Sequence, residues 1–138
     1  ERESHLQKTR QDIYYRLIAN LTEMNVVFSE LDQDAELSKI VTEGTVAEFY
    51  KYADKKYPSF KKNSYERVEI QSLIAIYGSD EAIKSLADFW LSCLERGKIL
   101  PIQNRPPLEI AKMILELRRS LFKDSNASKD QIQHLLNR

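Results

Sequence analysis

The sequence predicts an all-α protein, a four-helix-type bundle with short accessory helices. Apolar residues recur at three- and four-residue steps, and no segment shows a sustained alternation with a period of two. Glycine and proline number 3 and 4 in 138 residues, too few for a turn-rich β-sandwich. The chain is long enough to bury a core, so we expect a single domain over residues 1–138.

Charge and cysteine content narrow the class of protein. The 21 basic and 21 acidic side chains cancel, whereas a dedicated nucleic-acid binder needs a basic face. The single Cys93 excludes an internal disulfide and permits a reducing compartment. No apolar run approaches the length of about 18 residues that a membrane span needs. The sequence begins at Glu1 rather than methionine, so removal of a leader or anchor stays an open alternative.

The first helix is expected over residues 3–31, and at about 1.5 Å per residue it would be on the order of 43 Å long. Its first two turns hold one large apolar residue, Leu6. This end is therefore expected to project beyond the bundle or to begin a longer coiled coil or linker. The large apolar residues at helical spacing, which form a single stripe along this helix, are Leu6, Ile13, Leu17, Leu21, Met24, Phe28 and Leu31.

Residues 30–48 are acidic and predict two short helices. Apolar residues at helical spacing favour a first helix that ends near Gly44. Thr45-Val-Ala-Glu48 has the pattern of a capping box and starts the second, which ends before Pro58 because proline disfavours helix at the preceding residue. Their apolar residues are Leu37, Ile40 and Val41 in the first and Val46, Phe49, Tyr50 and Ala53 in the second.

Two apolar helices meet at a corner, Tyr77-Gly-Ser-Asp-Glu81. Gly78 suits the left-handed position just beyond a helix C-terminus, and Ser79 or Asp80 can cap the next helix. The helix before the corner is expected over about 64–77, opened by a capping box at Asn63-Ser-Tyr-Glu66.

The helix after the corner is expected over 80–96. It is apolar nearly all round, which is typical of the central element of a bundle. Residues 98–107 predict a loop, 108–122 another core helix, and 128–137 a short last helix opened by a capping box at Ser128-Lys-Asp-Gln131. The residues of the narrow polar strip in the helix after the corner are Lys84, Asp88, Ser92 and Glu95.

Three stretches together resemble a family of uncharacterised bacterial helical proteins. They are Arg10-Gln-Asp-Ile-Tyr14, Ile76-Tyr-Gly-Ser-Asp-Glu-Ala-Ile83 and Leu115-Glu-Leu-Arg-Arg-Ser-Leu121, and the tail at 128–136 is similar to the family's last helix. The resemblance implies a soluble domain attached to a membrane or to another helix, since members often carry an apolar segment or coiled coil ahead of it. It implies no activity. The family commonly has Arg-Lys-Asp-Leu-Gly where this chain has Arg118-Arg-Ser-Leu-Phe122, and the missing acid argues against a shared catalytic group there.

No residue pattern indicates a catalytic, cofactor-binding or metal-binding site. Acids from Asp32 to Glu43 have the spacing of a calcium loop, but Leu37 occupies the position that needs glycine, so a solvated acidic connection is favoured. His5 and His134 lack a metal-ligand spacing and are interpreted as surface residues. Cys93 is interpreted as a small core hydrophobe.

Charged residues of the later helices predict contacts between them. A structural salt bridge is the favoured interpretation, and a small-ligand site between the helices is the alternative. The residues concerned are Asp88, Glu95, Glu116, Arg118 and Arg119.

The segment 50–67 interleaves five aromatic residues with six basic and two acidic ones. Such a surface can stack on bases or lie at lipid headgroups, but the rings can equally pack inward and leave the lysines in water. It can also pair with the acidic segment before it. The residues predicted for surface binding are Tyr50, Lys51, Tyr52, Lys55, Lys56, Tyr57, Lys61 and Lys62.

The resulting hypothesis is a non-enzymatic helical interaction domain without cofactors, engaged through its first helix by a protein partner or by a copy of itself. The alternative is a peripheral binder of anionic lipid or nucleic acid through 50–67, although the neutral charge makes nucleic acid the weaker partner. We expect a cytoplasmic location, either free or tethered to the inner membrane by a segment upstream of Glu1.

Overall fold

The computed structural model describes residues 2–95, 108–122 and 126–136, and within these ranges every regular element is a helix. This confirms the predicted all-α class. The predicted loop at 98–107 and the side chain of Cys93 lie outside the described residues. None of the described helices combines the length and hydropathy needed to cross a bilayer. The elements are α1 (Arg2–Leu31), α2 (Ala35–Glu43), α3 (Val46–Lys56), α4 (Pro58–Tyr77), α5 (Asp80–Glu95), α6 (Leu108–Leu121) and α7 (Lys129–Leu136).

Helix α1 buries one face in the bundle and leaves the opposite face exposed. It packs against α4 along much of its length and also against α6, while α5 packs mainly on α6. The predicted stripe of α1 is buried from Ile13 onward, and Leu6 is half-buried. The amide of Gln7 donates to the carbonyl of Leu121 at 2.9 Å, so the second turn of α1 already contacts the end of α6. The prediction that the first two turns project is therefore wrong for the second turn.

Helix α5 is not the central element that its composition predicts. Ala82, Leu86 and Phe89 are buried, but Ile83 is 37% and Leu91 55% exposed. One face of α5 contacts α6, and only a small part of it meets α4. Helix α5 therefore packs mainly on one helix, α6, and leaves part of its apolar surface exposed.

The corner between α4 and α5 differs from the prediction in one respect. Gly78 has φ −68° and ψ 158°, an ordinary extended conformation rather than a left-handed one. Glycine is needed there for space, because a Cβ would lie 2.5 Å from the carbonyl oxygen of Ile74. Ser79 is the cap, with its Oγ accepting the N–H of Ala82 at 3.2 Å.

Helix α4 begins at Pro58, earlier than the predicted start near residue 64. Tyr57 has φ −122° and ψ 88° and lies between α3 and α4. Pro58 disfavours a helical conformation at Tyr57, which ends α3, and itself occupies the first position of α4. The predicted capping box at Asn63 is wrong. Asn63 lies inside α4 and is buried, as is the neighbouring Ser64.

The remaining caps agree with the sequence. Helix α2 ends at Gly44, and Thr45 Oγ1 accepts the N–H of Glu48 at 3.2 Å to start α3. Ser128 and Gln131 form a complete capping box, with bonds of 3.2 Å and 3.0 Å in the two directions.

The apolar face of α3 is narrower than predicted, and α7 also leaves a large apolar side chain exposed. In α3, Phe49 and Ala53 are buried in an aromatic cluster with Phe28 and Phe60, but Val46 is 53% exposed. In α7, Ile132 packs on α6 whereas Leu135 is 83% exposed.

Candidate binding surfaces

The predicted basic and aromatic residues divide into two groups in the structure. Tyr52, Lys56 and Tyr57 converge on one buried carboxylate, that of Asp34 at the start of α2. The remaining five reach solvent, with Tyr50 41% exposed. The second group is Tyr50, Lys51, Lys55, Lys61 and Lys62.

Asp34 joins α2 to the turn between α3 and α4. Its side chain is 4% exposed, caps α2 through the N–H of Leu37 at 3.1 Å, and accepts from Lys56 Nζ at 2.8 Å. The hydroxyls of Tyr57 and Tyr52 donate to it at 2.6 Å and 3.1 Å. The interpretation of Asp34 as part of a solvated connection is therefore wrong, and the predicted pairing of the acidic with the basic segment occurs here.

The same contacts set the charge state of the cluster. Hydrogen bonds from the Lys56 ammonium and the Tyr57 hydroxyl hold the pKa of Asp34 well below its usual range, and burial opposes them only in part. The carboxylate in turn raises the pKa of Lys56 and of Tyr57. Asp34 is therefore a fixed anion that is saturated by donors, which makes it a structural group rather than an acid or base for chemistry.

The four lysines of the second group, Lys51, Lys55, Lys61 and Lys62, flank the turn between α3 and α4. They form no ion pair with the described residues. Lys61 lies 5.7 Å from the ring centre of Tyr65, which is 63% exposed. Exposed lysines and aromatic rings thus lie side by side on this surface, as the sequence predicts, but only five of the eight predicted residues belong to it.

A buried polar network connects α1 to α4. Asn20 and Asn63 each donate their side-chain amide to the other's backbone carbonyl, at 3.0 Å and 3.2 Å. Arg67, which is 7% exposed, donates through Nη1 to both amide oxygens, at 3.1 Å and 2.6 Å. Burial lowers the pKa of Arg67. Nothing in the sequence indicates this network, because a single sequence does not show which polar residues of two distant helices face each other.

The outer face of α1 carries a second stripe opposite the core. All its members are uncharged and exposed, and they recur at steps of four, three, four and three, the spacing of a coiled-coil seam. Thr22 and Ser29 donate their hydroxyls to carbonyls of their own helix at 2.8 Å and 2.9 Å, so covering them leaves no donor unpaired. The stripe consists of Tyr15, Ala19, Thr22, Val26 and Ser29.

Two of the acids predicted to contact a neighbouring helix instead pair within their own helix. Asp88 pairs with Lys84 at 2.7 Å in α5, and Glu116 with Arg119 at 3.0 Å in α6. A groove of about 520 Å³ lies between the two helices, and Lys84, Asp88 and Glu116 are among the residues that line it. The side chain of Glu95 lies outside the described residues.

Across residues 2–95, 108–122 and 126–136, no three His, Cys, Asp or Glu side chains are grouped to hold a metal ion. His5 and His134 are both exposed, as surface histidines are expected to be.

Comparison with known proteins adds no assignment. No protein-family model matches the chain, and no curated protein or solved structure matches it. The resemblance to a bacterial helical family stays a prediction.

Proposed function

We propose that this protein is a non-enzymatic helical interaction domain whose partner is a second copy of itself, bound through the outer face of α1. The observation that carries the proposal is the exposed stripe from Tyr15 to Ser29. Val26 is 60% and Tyr15 74% exposed, although the steps between stripe residues are those of a buried seam. The small residues Ala19, Thr22 and Ser29 allow a second helix to approach closely.

The charges beside the stripe favour an antiparallel arrangement. Arg16 lies near its beginning and Glu30 near its end, and both are exposed. Two α1 helices that cross antiparallel at Thr22 would bring Arg16 of each copy beside Glu30 of the other. A parallel arrangement would bring neither Arg16 beside Glu30 nor Glu30 beside Arg16, because the edge of the stripe that carries both residues would then face the opposite edge of the partner.

The expected association is weak, because the stripe extends over about 21 Å of helix at ~1.5 Å per residue. Small interfaces of this kind support transient contacts. Light scattering at increasing protein concentration should therefore show a monomer that becomes a dimer. A strict monomer at the highest attainable concentration would contradict the proposal.

Two exposed residues give a matched pair of variants. Val26→Glu places a charge in the stripe of α1. Ile76→Glu places the same charge on α4, at a residue that is 70% exposed. Val26→Glu should abolish dimerisation, and Ile76→Glu should leave it unchanged. Equal loss in both variants would show that α1 is not the interface.

The arrangement is tested by charge reversal. Arg16→Glu and Glu30→Arg should each weaken the dimer, and the double variant should restore it because both pairs are reversed together. Arg16 also lies 3.5 Å from Glu69, an exposed pair whose loss has little effect on stability. Failure of the double variant to restore dimerisation would contradict the antiparallel arrangement.

Lys51, Lys55, Lys61 and Lys62, which form no ion pair within the described part of the chain, favour a second candidate function, peripheral binding to anionic lipid. Replacement of Lys51, Lys55, Lys61 and Lys62 by glutamine should abolish any sedimentation with phosphatidylserine vesicles at low salt. Replacement of Lys39 and Lys129, exposed lysines elsewhere, serves as the control. Binding should fall steeply with salt. Absence of binding by the unaltered protein at low salt would exclude this function.

A further inference from the structure

A cleft of about 350 Å³ opens where α3, α4 and α5 meet. Its volume lies within the range of about 300–1,000 Å³ that small-molecule sites occupy. Aromatic and polar side chains face it from all three helices. They include Tyr50, Asp54, Ser64, Arg67, Gln71 and Trp90.

Two polar atoms at this cleft are buried without a hydrogen-bond partner, Asp54 Oδ1 and Ser64 Oγ. Ser64 is only 9% exposed. Buried polar atoms are nearly always paired, so two orphaned atoms beside one cavity indicate that something else supplies their partners.

The cleft also contains a cation without a carboxylate partner among the described residues. Arg67 uses Nη1 for the amide oxygens of Asn20 and Asn63, which are neutral acceptors. Asp54 lines the same cleft but makes no ion pair with Arg67. The guanidinium carbon of Arg67 lies 5.9 Å from the ring centre of Trp90. Trp90 in turn donates a hydrogen bond through Nε1 to Gln71 at 2.6 Å.

We propose that this cleft binds a small zwitterion that carries an ammonium and a carboxylate, a free α-amino acid. The ammonium donates to Asp54 and Ser64, and the carboxylate accepts from the remaining N–H groups of Arg67. A simple anion would be repelled by Asp54, and a simple cation by Arg67. Trp90 and Tyr50 provide an aromatic wall for the ligand's side chain.

Trp90 is the single tryptophan of the chain, so its fluorescence reports on the cleft without a label. We would titrate the full chain with glycine, leucine, phenylalanine, glutamate and lysine, and with acetate and methylammonium as carriers of one charge each. The proposal expects a saturable change with at least one amino acid at millimolar concentration or below. Neither acetate nor methylammonium should give a saturable change in that range.

Three variants locate the binding. Asp54→Asn keeps the shape of the side chain and should weaken amino-acid binding at least tenfold, and Ser64→Ala should weaken it severalfold. Asp88→Asn, an exposed change on the far side of α5, should leave it unaltered. Circular dichroism checks that each variant is folded.

The possible outcomes separate clearly. No saturable response to any amino acid, which would mean that water alone completes the site, overturns the proposal. Equal binding of acetate overturns the ligand class, and undiminished binding by both Asp54→Asn and Ser64→Ala overturns the location. Repeating the titration with Val26→Glu shows whether binding is independent of self-association.

Discussion

The hydroxyl of Tyr14 accepts a hydrogen bond from the backbone N–H of Ser79 at 3.0 Å, although 65 positions separate the two residues. Ser79 Oγ also pairs with Ser120 Oγ in α6 at 2.8 Å. The start of α5 is thus attached to both α1 and α6 through short polar contacts. This explains how a corner with few apolar contacts between α4 and α5 keeps its geometry.

Replacement of Tyr14 by phenylalanine should destabilise the protein by about 1–2 kcal/mol, because the N–H of Ser79 loses its partner. Urea unfolding followed by circular dichroism measures the change. Tyr15→Phe is the matched control, since Tyr15 is adjacent and 74% exposed. The control should change stability by less than about 0.5 kcal/mol. Equal effects of the two variants would show that the bond to Ser79 contributes nothing.

Replacement of Asp34 by alanine should cost about 2–3 kcal/mol of unfolding free energy. The variant removes the cap of α2 and leaves the half-buried hydroxyls of Tyr52 and Tyr57 without their acceptor. Asp32→Ala, two positions away and exposed, should change stability by less than about 0.5 kcal/mol. A loss below about 0.5 kcal/mol for Asp34→Ala would contradict its structural role.

The stability that Asp34 contributes should depend on pH in the acid range. Its folded pKa is below that of an unfolded aspartate, about 3.9, so the unfolded chain takes up the proton first as pH falls. The contribution is complete above about pH 5 and is lost as pH falls through the folded pKa. The stability difference between the natural protein and Asp34→Asn should accordingly be constant from pH 5 to 7 and shrink below pH 4. Unfolding curves in which that difference stays constant down to pH 2.5 would contradict this origin.

Replacement of Gly78 by alanine should destabilise the protein through a steric clash. The added Cβ would lie 2.5 Å from the carbonyl oxygen of Ile74, and such crowding typically costs about 1–3 kcal/mol. Gly44→Ala is a graded comparison, because its nearest backbone atom would be 2.9 Å away. We expect a larger decrease in melting temperature for Gly78→Ala than for Gly44→Ala. The reverse order would show that space at the corner is not what requires glycine.

Local features of the fold could be predicted from the sequence, and features that depend on neighbouring helices could not. The caps at Thr45 and Ser128 involve residues three positions apart, so the chain itself contains all the information. The importance of Gly78 was predicted, but the reason was wrong, because glycine is required by the short distance to the Ile74 carbonyl and not by a positive φ. The exposure of Leu91 could not be predicted, since it depends on how many helices surround α5.

The same division applies to the candidate sites. The aromatic and basic segment could be predicted, but the turning of Tyr52 and Tyr57 toward Asp34 depends on the folded position of α2. The outer stripe of α1 was present in the sequence at seam spacing. It was missed because Ala19, Thr22 and Ser29 do not stand out beside the larger residues of the inner face.

The reciprocal bonds of Asn20 and Asn63 fix how far α1 and α4 can slide along each other. A slip of one helical turn would carry both amides and the guanidinium of Arg67 past their acceptors into apolar surroundings. An unpaired polar group in such surroundings is costly, so alternative alignments of the two helices are disfavoured. Apolar side chains alone tolerate such a slip far better. The network thereby favours one alignment of α1 and α4 over its neighbours, whatever it adds to stability.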